Sequence, residues 1–233
     1  MYDVIVVGAR CGGSPTAMLL AQKGYRVLLL DRAVFPSDVV STHLVTSPGV
    51  AALARWGLAE PVAASGCPPI TSITFGFGDL VLTGSVPAID GVAGQYCVRR
   101  TVLDRILVEA AVAAGAELRE RFVVEDVLLE GGRIIGIQGR GPGGAVQSER
   151  ARLVVGADGL HSVVARSVEA ASYADGPPLT CVSYSYWAGV ALQDAQFHLG
   201  RGRAVCAFAT NDDLTCIAVA WPADEARAFR TDV

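Results

Sequence analysis

The sequence lacks a strong excess of either charge, and it has few aromatic residues. It contains 19 lysines and arginines against 23 aspartates and glutamates, a formal net charge of −4. A nucleic-acid-binding domain usually has a basic face, so this balance argues against a nucleic-acid partner. Hydrophobic residues make up 52% of the chain and aromatic residues only 7%, a balance typical of a packed α/β interior.

The sequence also lacks a long apolar segment and a closely spaced cysteine pair. Its longest uncharged stretches include 61–78 and 176–193, and both are interrupted by Pro, Gly, Ser and Thr. Neither is the apolar helix of roughly 20 residues that a bilayer requires. None of the six cysteines has the two-residue spacing of a zinc or redox site. With a strand beginning at Tyr2 instead of a signal peptide, we expect a cytoplasmic protein without a transmembrane segment or metal site.

The first 31 residues have the pattern of a β–α–β unit. Asp3–Val7 is a short apolar run, as in a strand buried on both faces. Residues 14–23 predict a helix that ends at Gly24, and Arg26–Asp31 predicts a second buried strand. This spacing is what two parallel strands joined by a helix need.

The turn between the first strand and the helix carries the strongest motif. It reads Gly8-Ala9-Arg10-Cys11-Gly12-Gly13, so Gly8 and Gly13 match the first and third glycines of the dinucleotide fingerprint GxGxxG. Arg10 stands where the second glycine belongs. An arginine there would place a cation near the diphosphate, beside the positive end of the helix. We predict that Gly8, Arg10, Gly12 and Gly13 bind a cofactor; a glycine-rich turn without a ligand is the alternative.

An acidic residue ends the second strand, as the fingerprint requires. Asp31 lies 23 residues after Gly8, and its carboxylate can accept hydrogen bonds from the ribose hydroxyls of adenosine. A free 2′-hydroxyl suits FAD or NAD and disfavours NADP. We include the neighbouring Arg32 in this predicted site. An exposed acid at a strand end is the alternative.

The rest of the chain predicts further helices and strands around a β-meander. An irregular segment covers 32–46, and helices are expected from Ser47 to Gly57 and from Arg100 to Ala114. The predicted strands are 70–76, 79–83, 121–130, 133–138, 145–150, 152–156, 179–191, 203–209 and 214–220.

A second motif follows the strand at 152–156. It reads Gly156-Ala157-Asp158-Gly159, with Ser162 and Arg166 further on. Its position after the meander resembles the class A flavoprotein monooxygenases of the para-hydroxybenzoate hydroxylase type, together with geranylgeranyl reductases and flavin halogenases. These proteins carry DGxxSxxR there, and Arg166 lies one residue beyond the commonest spacing.

The resemblance implies roles for residues in this motif and in the middle helix. Asp158 would contact the ribityl or diphosphate part of FAD, and Gly159 would permit close backbone approach. Arg100 opens an RxxL segment that in the family lies near the flavin. Because Arg99 is adjacent, either arginine fits, and an exposed arginine at the helix start is the alternative.

The resemblance also implies the fold class, α/β. We expect a Rossmann-like FAD-binding domain of the glutathione reductase type with a β-meander, formed by 1–66 and 95–170. A mixed β-sheet substrate domain, formed by 67–94 and 171–233, would be interleaved with it. The family's third motif, Gly-Asp followed by Ala, Pro and a glycine-rich helix start, is missing after Arg166. We therefore expect a truncated chain or shortened homologue, whose exposed interior favours self-association.

The implied function is FAD-dependent oxidation and reduction, with NAD(P)H as a transient reductant and a small organic substrate, for which an aromatic compound is one candidate. Hydroxylation is the first expectation. A geranylgeranyl reductase-like activity, an NAD-dependent dehydrogenase and a nucleotide-binding fragment without turnover are the alternatives. Trp221-Pro222 does not match the Trp-x-Trp-x-Ile-Pro signature of flavin halogenases.

The sequence does not identify a catalytic residue. His43 is a candidate because histidine titrates near neutral pH, although a hydrogen-bonded loop histidine is the simpler interpretation. Tyr184, Tyr186 and Trp187 could line an aromatic substrate pocket, or they could be core residues of a strand.

Overall fold

A computed structural model describes residues 1–225 of the chain. Its helices and strands, in chain order, are β1 (Tyr2–Val7), α1 (Gly13–Gln22), β2 (Val27–Leu30), β3 (Leu44–Val45), α2 (Ser47–Arg55), α3 (Ala59–Ala63), β4 (Pro69–Ile70), β5 (Ser72–Phe77), β6 (Leu80–Ser85), β7 (Gln95–Cys97), α4 (Arg100–Ala113), β8 (Glu117–Arg119), β9 (Val123–Glu130), β10 (Arg133–Arg140), β11 (Val146–Gly156), α5 (Val163–Ser167), β12 (Thr180–Ala188), β13 (Ala195–Gly200), β14 (Arg203–Ala209) and β15 (Leu214–Pro222).

The chain divides into two compact, interleaved units. Unit 1 consists of Met1–Val40 and Arg100–Tyr173, and unit 2 of Ser41–Arg99 and the described chain from Ala174. These units differ from the predicted domains at 41–66 and 95–99, which the sequence assigns to the first domain, and at 171–173, which it assigns to the second. Strands β3 and β7 of the segments 41–66 and 95–99 pair with each other, and β7 also pairs with β4, which lies in the predicted second domain; this three-stranded sheet groups the segments with unit 2. Residues 226–233 of the predicted substrate domain lie outside the described residues.

Unit 1 is built on a six-stranded mixed sheet in the order β8-β2-β1-β11-β10-β9. The first four strands are parallel, and β10 and β9 add an antiparallel meander. Strand β2, with the sequence Val-Leu-Leu-Leu, is buried at every position, as expected of a parallel strand covered on both faces. Side chains of β1, β2 and β10 form one core with Phe122 and Val164.

One strand joins the two parts of this sheet. The sequence predicted separate strands at 145–150 and 152–156, but β11 runs unbroken from Val146 to Gly156. Its first half pairs antiparallel with β10, and its second half pairs parallel with β1. The short edge strand β8 was not predicted, because its three residues Glu-Leu-Arg carry no apolar pattern.

Unit 2 contains a second six-stranded sheet, in the order β12-β15-β14-β13-β5-β6. All of its neighbouring pairs are antiparallel except β13 with β5. Strand β13 was not predicted, although its sequence Ala-Gln-Phe-His-Leu-Gly alternates between apolar and polar residues as a half-buried strand does. Within the described residues, the helices are too short or too polar to span a membrane.

Truncation of a β2 side chain tests the core of unit 1. Leu28 is fully buried, so we expect Leu28→Ala to lower the free energy of unfolding by about 2–5 kcal/mol. Leu129→Ala on β9 is the matched control, since that side chain is 59% exposed and its loss leaves no cavity. Thermal denaturation of both variants provides the measurement. Equal melting temperatures for the two would contradict this account of the core.

Candidate functional site

Three parallel strands of unit 1 end side by side, and each leads into a predicted motif. Strand β1 ends before Gly8, β2 before Asp31, and β11 before Ala157. Because β1 pairs in parallel with both neighbours, these three turns lie at the same edge of the sheet. Ligands of open α/β sheets bind at this carboxyl edge. The structure therefore brings together motifs that are about 150 residues apart in the sequence.

Two glycines of the fingerprint are required by the packing of the protein itself. Gly8 has a φ of +99°, and a Cβ atom there would lie 2.3 Å from the carbonyl oxygen of Ala157. A Cβ atom on Gly13 would lie 1.7 Å from the carbonyl oxygen of Gly8. Both contacts are far shorter than van der Waals distance. These positions accept only glycine whether or not a nucleotide is bound.

Gly12 differs from these two glycines because its surroundings are open. The nearest heavy atom to a Cβ atom there would be 3.9 Å away, and the residue is exposed. No side chain caps the beginning of α1, where Gly12 is the N-cap residue. The N–H of Ser14 already donates to the carbonyl of Arg10, and Pro15 has no N–H. A helix beginning without a side-chain cap beside open space suits an anionic diphosphate, which would accept hydrogen bonds from the N–H groups of Gly12 and Gly13.

Asp31 fixes the conformation of the glycine-rich turn. Its Oδ2 accepts a hydrogen bond from the N–H of Ala9 at 2.8 Å, and its Oδ1 accepts one from the N–H of Ala33 at 2.8 Å. Ser14 adds a second tie, since its hydroxyl donates to the carbonyl of Ala9. A carboxylate has about four lone-pair sites, so these two bonds leave room for the predicted ribose hydroxyls. The neighbouring Arg32 is exposed.

The Asp158 motif forms a strand-to-helix turn. The carboxylate of Asp158 accepts hydrogen bonds from the Ser162 hydroxyl and from the N–H of Val163, each at 2.6 Å. Ser162 in turn caps α5 by accepting from the N–H of Ala165. Gly159 has a φ of +82°, and no atom lies within 4 Å of the position of its Cβ. The contact of Asp158 with FAD stays a prediction.

Arg100 is paired with Asp104, a residue that was not predicted from the sequence. Its guanidinium forms a two-pronged pair with Asp104, one turn further along α4, at 2.9 Å for each bond. Asp104 is completely buried and also accepts a 2.6 Å hydrogen bond from Arg10. Although burial lowers the pKa of Arg100, the bonds to Asp104 raise it overall. The sequence does contain a signal for this pair, since Asp104 follows Arg100 by four residues and the two side chains therefore lie on the same side of the helix.

Cys11, at the tip of the glycine-rich turn, carries a neutral thiol. Its sulfur lies 3.4 Å from Asp104 Oδ1. Although Cys11 is an exposed residue, desolvation of its thiol group, reinforced by Asp104 and opposed by Arg100, raises the pKa of Cys11 to about 11. The thiol therefore adds no negative charge next to the predicted diphosphate position at neutral pH.

Arg99 belongs to unit 2, whereas the adjacent Arg100 belongs to unit 1. Its N–H donates to the side-chain oxygen of Asn211, and its guanidinium pairs with Asp212 at 3.2 Å. The same guanidinium lies over the ring of Tyr186, with Cζ 4.7 Å from the ring centroid. Arg100 is thus the arginine that joins the dinucleotide turn.

His43 lies buried in unit 2 against two tyrosines. Its Nδ1 is 2.8 Å from the carbonyl oxygen of Ser41, and its Nε2 is hydrogen-bonded to the hydroxyl of Tyr186. Since a carbonyl only accepts, Nδ1 carries a proton and, in the neutral ring, Nε2 accepts from Tyr186. The ring packs edge-on against Tyr184, while Trp187 on the opposite face of β12 is 54% exposed. An acid–base role for His43 stays a prediction.

The remaining histidines lie elsewhere. His198 pairs with Gln196 on β13, and the backbone carbonyl of His161 accepts from Arg166. Among the residues that the structure describes, no three His, Cys, Asp or Glu side chains are grouped so that they could hold a metal ion.

Alanine substitutions at adjacent glycines separate folding from nucleotide binding. We expect Gly13→Ala to abolish folding of unit 1, because its Cβ would overlap the carbonyl oxygen of Gly8. Gly12→Ala should keep the melting temperature, since Gly12 has a φ of −89° and open surroundings. It should nevertheless weaken FAD binding by about tenfold or more, because the methyl group occupies the space of the diphosphate. Circular dichroism and a fluorescence titration with FAD measure the two effects; unchanged affinity in Gly12→Ala would contradict the assignment.

Curated relatives of this chain are reductases. A digeranylgeranylglycerophospholipid reductase of Methanocella arvoryzae is 33% identical over 165 residues, covering 71% of this chain and 41% of the relative. A second such reductase, from Methanothermobacter thermautotrophicus, is 30% identical over 208 residues, covering 85% of this chain and 50% of the relative. The chain thus spans about half the length of these relatives or less.

Solved structures with the same fold are halogenases, monooxygenases and reductase-like proteins. A myxobacterial chondrochloren halogenase, described as FAD-dependent, superposes with a TM-score of 0.85 at 26% identity, over 99% of this chain and 55% of the other. A probable FAD-dependent monooxygenase from Pseudomonas aeruginosa gives a TM-score of 0.80 at 21% identity, over 99% and 63% of the two chains. These superpositions confirm the predicted α/β fold with its mixed sheets.

The FAD binding domain family matches residues 1–225, nearly the whole chain. The local geometry fits that cofactor, with Gly12 open, α1 uncapped at its beginning and Asp31 at the neighbouring strand end. The resemblance to class A flavoproteins stated from the sequence is therefore confirmed. The chain belongs to the FAD binding domain family.

Proposed function

We propose that this chain forms the FAD-binding part of an FAD-dependent oxidoreductase that hydroxylates an apolar, aromatic substrate. The observation that carries the proposal is that one chain contains both a dinucleotide turn, in unit 1, and an apolar, aromatic sheet face, in unit 2. Bound FAD would supply the redox chemistry, using NAD(P)H as reductant and O2 as oxidant. The residues of this chain would bind the cofactor, hold its ribose and diphosphate, and offer the substrate an apolar surface.

One face of the large sheet in unit 2 is apolar almost throughout. The strand registers place alternate residues of all six strands on this face. We call it the aromatic face; its larger members are Ile73, Phe75, Phe77, Leu80, Leu82, Val182, Tyr184, Tyr186, Phe197, Leu199 and Phe208. The opposite face is mixed, with Thr74, Thr83, Gln196 and His198 among its side chains.

Part of the aromatic face is covered by the core of unit 2, and part is not. Phe208 is buried there with Ile70 and Cys97. Towards β6, by contrast, Leu80 is 55% exposed and Leu82 is 53% exposed. A contiguous apolar surface of this kind usually marks a binding site.

The phenylalanines of this face are arranged to receive another ring. The ring of Phe75 stacks on Phe197 with centroids 5.0 Å apart and on Phe77 with centroids 6.4 Å apart. Phe208 meets Phe197 edge-on. Flat and edge-on ring contacts are favourable for aromatic ligands as well, so this part of the face suits an aromatic substrate.

Reduction of an isoprenoid double bond is the second candidate. It is favoured by the digeranylgeranylglycerophospholipid reductases, which are 30–33% identical to this chain over the matched segments. A hydrocarbon chain would also lie well on the aromatic face. The two reactions differ in their oxidant, because hydroxylation consumes O2 and double-bond reduction proceeds without it.

Cofactor uptake is the first test of the proposal. We expect the purified chain, incubated with FAD and desalted, to retain a visible flavin spectrum, because unit 1 contains the glycine-rich turn with Gly12 open and Asp31 at the neighbouring strand end. Gly12→Ala, treated in the same way, is the control and should retain less flavin than the native chain. Stoichiometric flavin followed by substrate-dependent O2 consumption with NAD(P)H would support hydroxylation. A colourless native chain would contradict the proposal.

A pair of variants tests the aromatic face. Phe75→Ala removes a ring from this face, and Val81→Ala removes an exposed side chain from the opposite face of the same sheet. We expect Phe75→Ala to raise the dissociation constant of an apolar aromatic ligand by about tenfold, the scale of one lost ring contact. Val81→Ala should change it little, and neither variant should alter FAD retention. Equal effects of the two variants on ligand affinity would contradict the proposal that the aromatic face binds the substrate.

A further inference from the structure

Arg10 occupies the position at which the dinucleotide fingerprint has its second glycine. Its side chain is only 24% exposed, because it turns inward from the glycine-rich turn. NH1 donates to Asp104 Oδ2 at 2.6 Å, and NH2 donates to the hydroxyl of Ser37 at 2.9 Å. Cζ lies 5.3 Å from the ring centroid of Phe35. One guanidinium therefore connects the turn, helix α4 and the segment 35–37.

The two arginines compensate the charge of Asp104, which is buried. A fully buried carboxylate without a positive partner is strongly destabilising. Asp104 has no exposed surface, and it accepts hydrogen bonds from both Arg10 and Arg100. Two guanidinium groups around one carboxylate leave a net charge of +1 on this group of three side chains. Arg10 is thus directed at a fixed internal acid.

The segment held by Arg10 has little regular structure of its own. No helix or strand occurs between the end of β2 and the start of β3. Its position therefore depends on individual contacts. Besides Ser37, these include the N–H of Phe35, which donates to Glu120 at 2.7 Å, and the carbonyl of Ala33, which accepts from the N–H of Arg121.

We infer that Arg10 and Asp104 are positioning residues of the dinucleotide site. Together they hold the glycine-rich turn, α4 and segment 35–37 in the arrangement that receives FAD before the cofactor arrives. The inference rests on the proposed function in one respect, since it takes FAD as the ligand of the turn. It has an unusual consequence: restoring the glycine of the fingerprint at position 10 weakens FAD binding.

If Arg10 instead bound the diphosphate directly through its charge, the expected effect of substituting Asp104 on FAD binding would be the opposite. If Arg10 acted through its charge on the cofactor, Asp104→Asn would release it towards the diphosphate and tighten binding. If the pair acts by positioning, Asp104→Asn weakens binding. The sign of this one effect separates the two roles. Glu109→Gln is the matched control, because it makes the same chemical change on an exposed position of α4.

The experiment is a fluorescence titration of the native chain and its variants with FAD. We expect Arg10→Gly and Asp104→Asn each to raise the dissociation constant by about tenfold, the scale of one lost charged hydrogen bond. The double variant should lose less affinity than the sum of the two single losses, since both single variants remove the Arg10–Asp104 contact. Glu109→Gln should match the native chain. Unchanged or tighter binding in Asp104→Asn, or additive effects, would overturn the inference.

Hydrogen exchange provides a second measurement that does not depend on the cofactor. In FAD-free protein, the amides of residues 33–38 should exchange faster in Arg10→Gly and Asp104→Asn than in the native chain. Arg10→Lys, which keeps the charge but loses the fork, should show the same change in a milder form. If the native chain binds no FAD, the proposed function fails while the exchange data still test the pair. Unaltered exchange in all three variants would refute the positioning role.

Discussion

Close backbone contact at the carboxyl edge of the parallel strands is the constraint on which unit 1 depends. Gly8 and Gly13 have no side chains, and only for this reason can the turn after β1 approach both α1 and the turn after β11. That approach places three strand ends in one row and leaves Gly12 open. Asp31 and Ser14 then fix the turn by hydrogen bonds to Ala9. Nucleotide recognition thus follows from packing that exists without a nucleotide.

The large sheet of unit 2 has two unlike faces, one apolar and one mixed. Alternation along β5, β6 and β13 sends Phe75, Phe77 and Phe197 to one side and Thr74, Thr83 and Gln196 to the other. The core of the unit covers only part of the aromatic face. Covering this apolar surface with an apolar molecule would remove it from water, which is favourable. For this reason we propose that the aromatic face binds the substrate.

Much of unit 1 could be predicted from the sequence, because local patterns determine it. The apolar runs of β1 and β2, the fingerprint glycines and Asp31 all signal their roles within 31 residues. The partnership of Arg10 and Asp104 could not be predicted in this way, since it joins residues 94 positions apart through tertiary packing. The unit boundary at Ser41 was missed for a similar reason, because β3 gains its place only by pairing with β7. Short strands such as β8 leave too few residues for a pattern.

The continuity of β11 has a consequence for how unit 1 comes apart. The same backbone is hydrogen-bonded to β10 along its first half and to β1 along its second half. Fraying of the meander would therefore expose the edge of the strand that supports the nucleotide turn. Because one strand serves both halves of the sheet, we expect the two halves to unfold together, with local opening confined to the loops outside it.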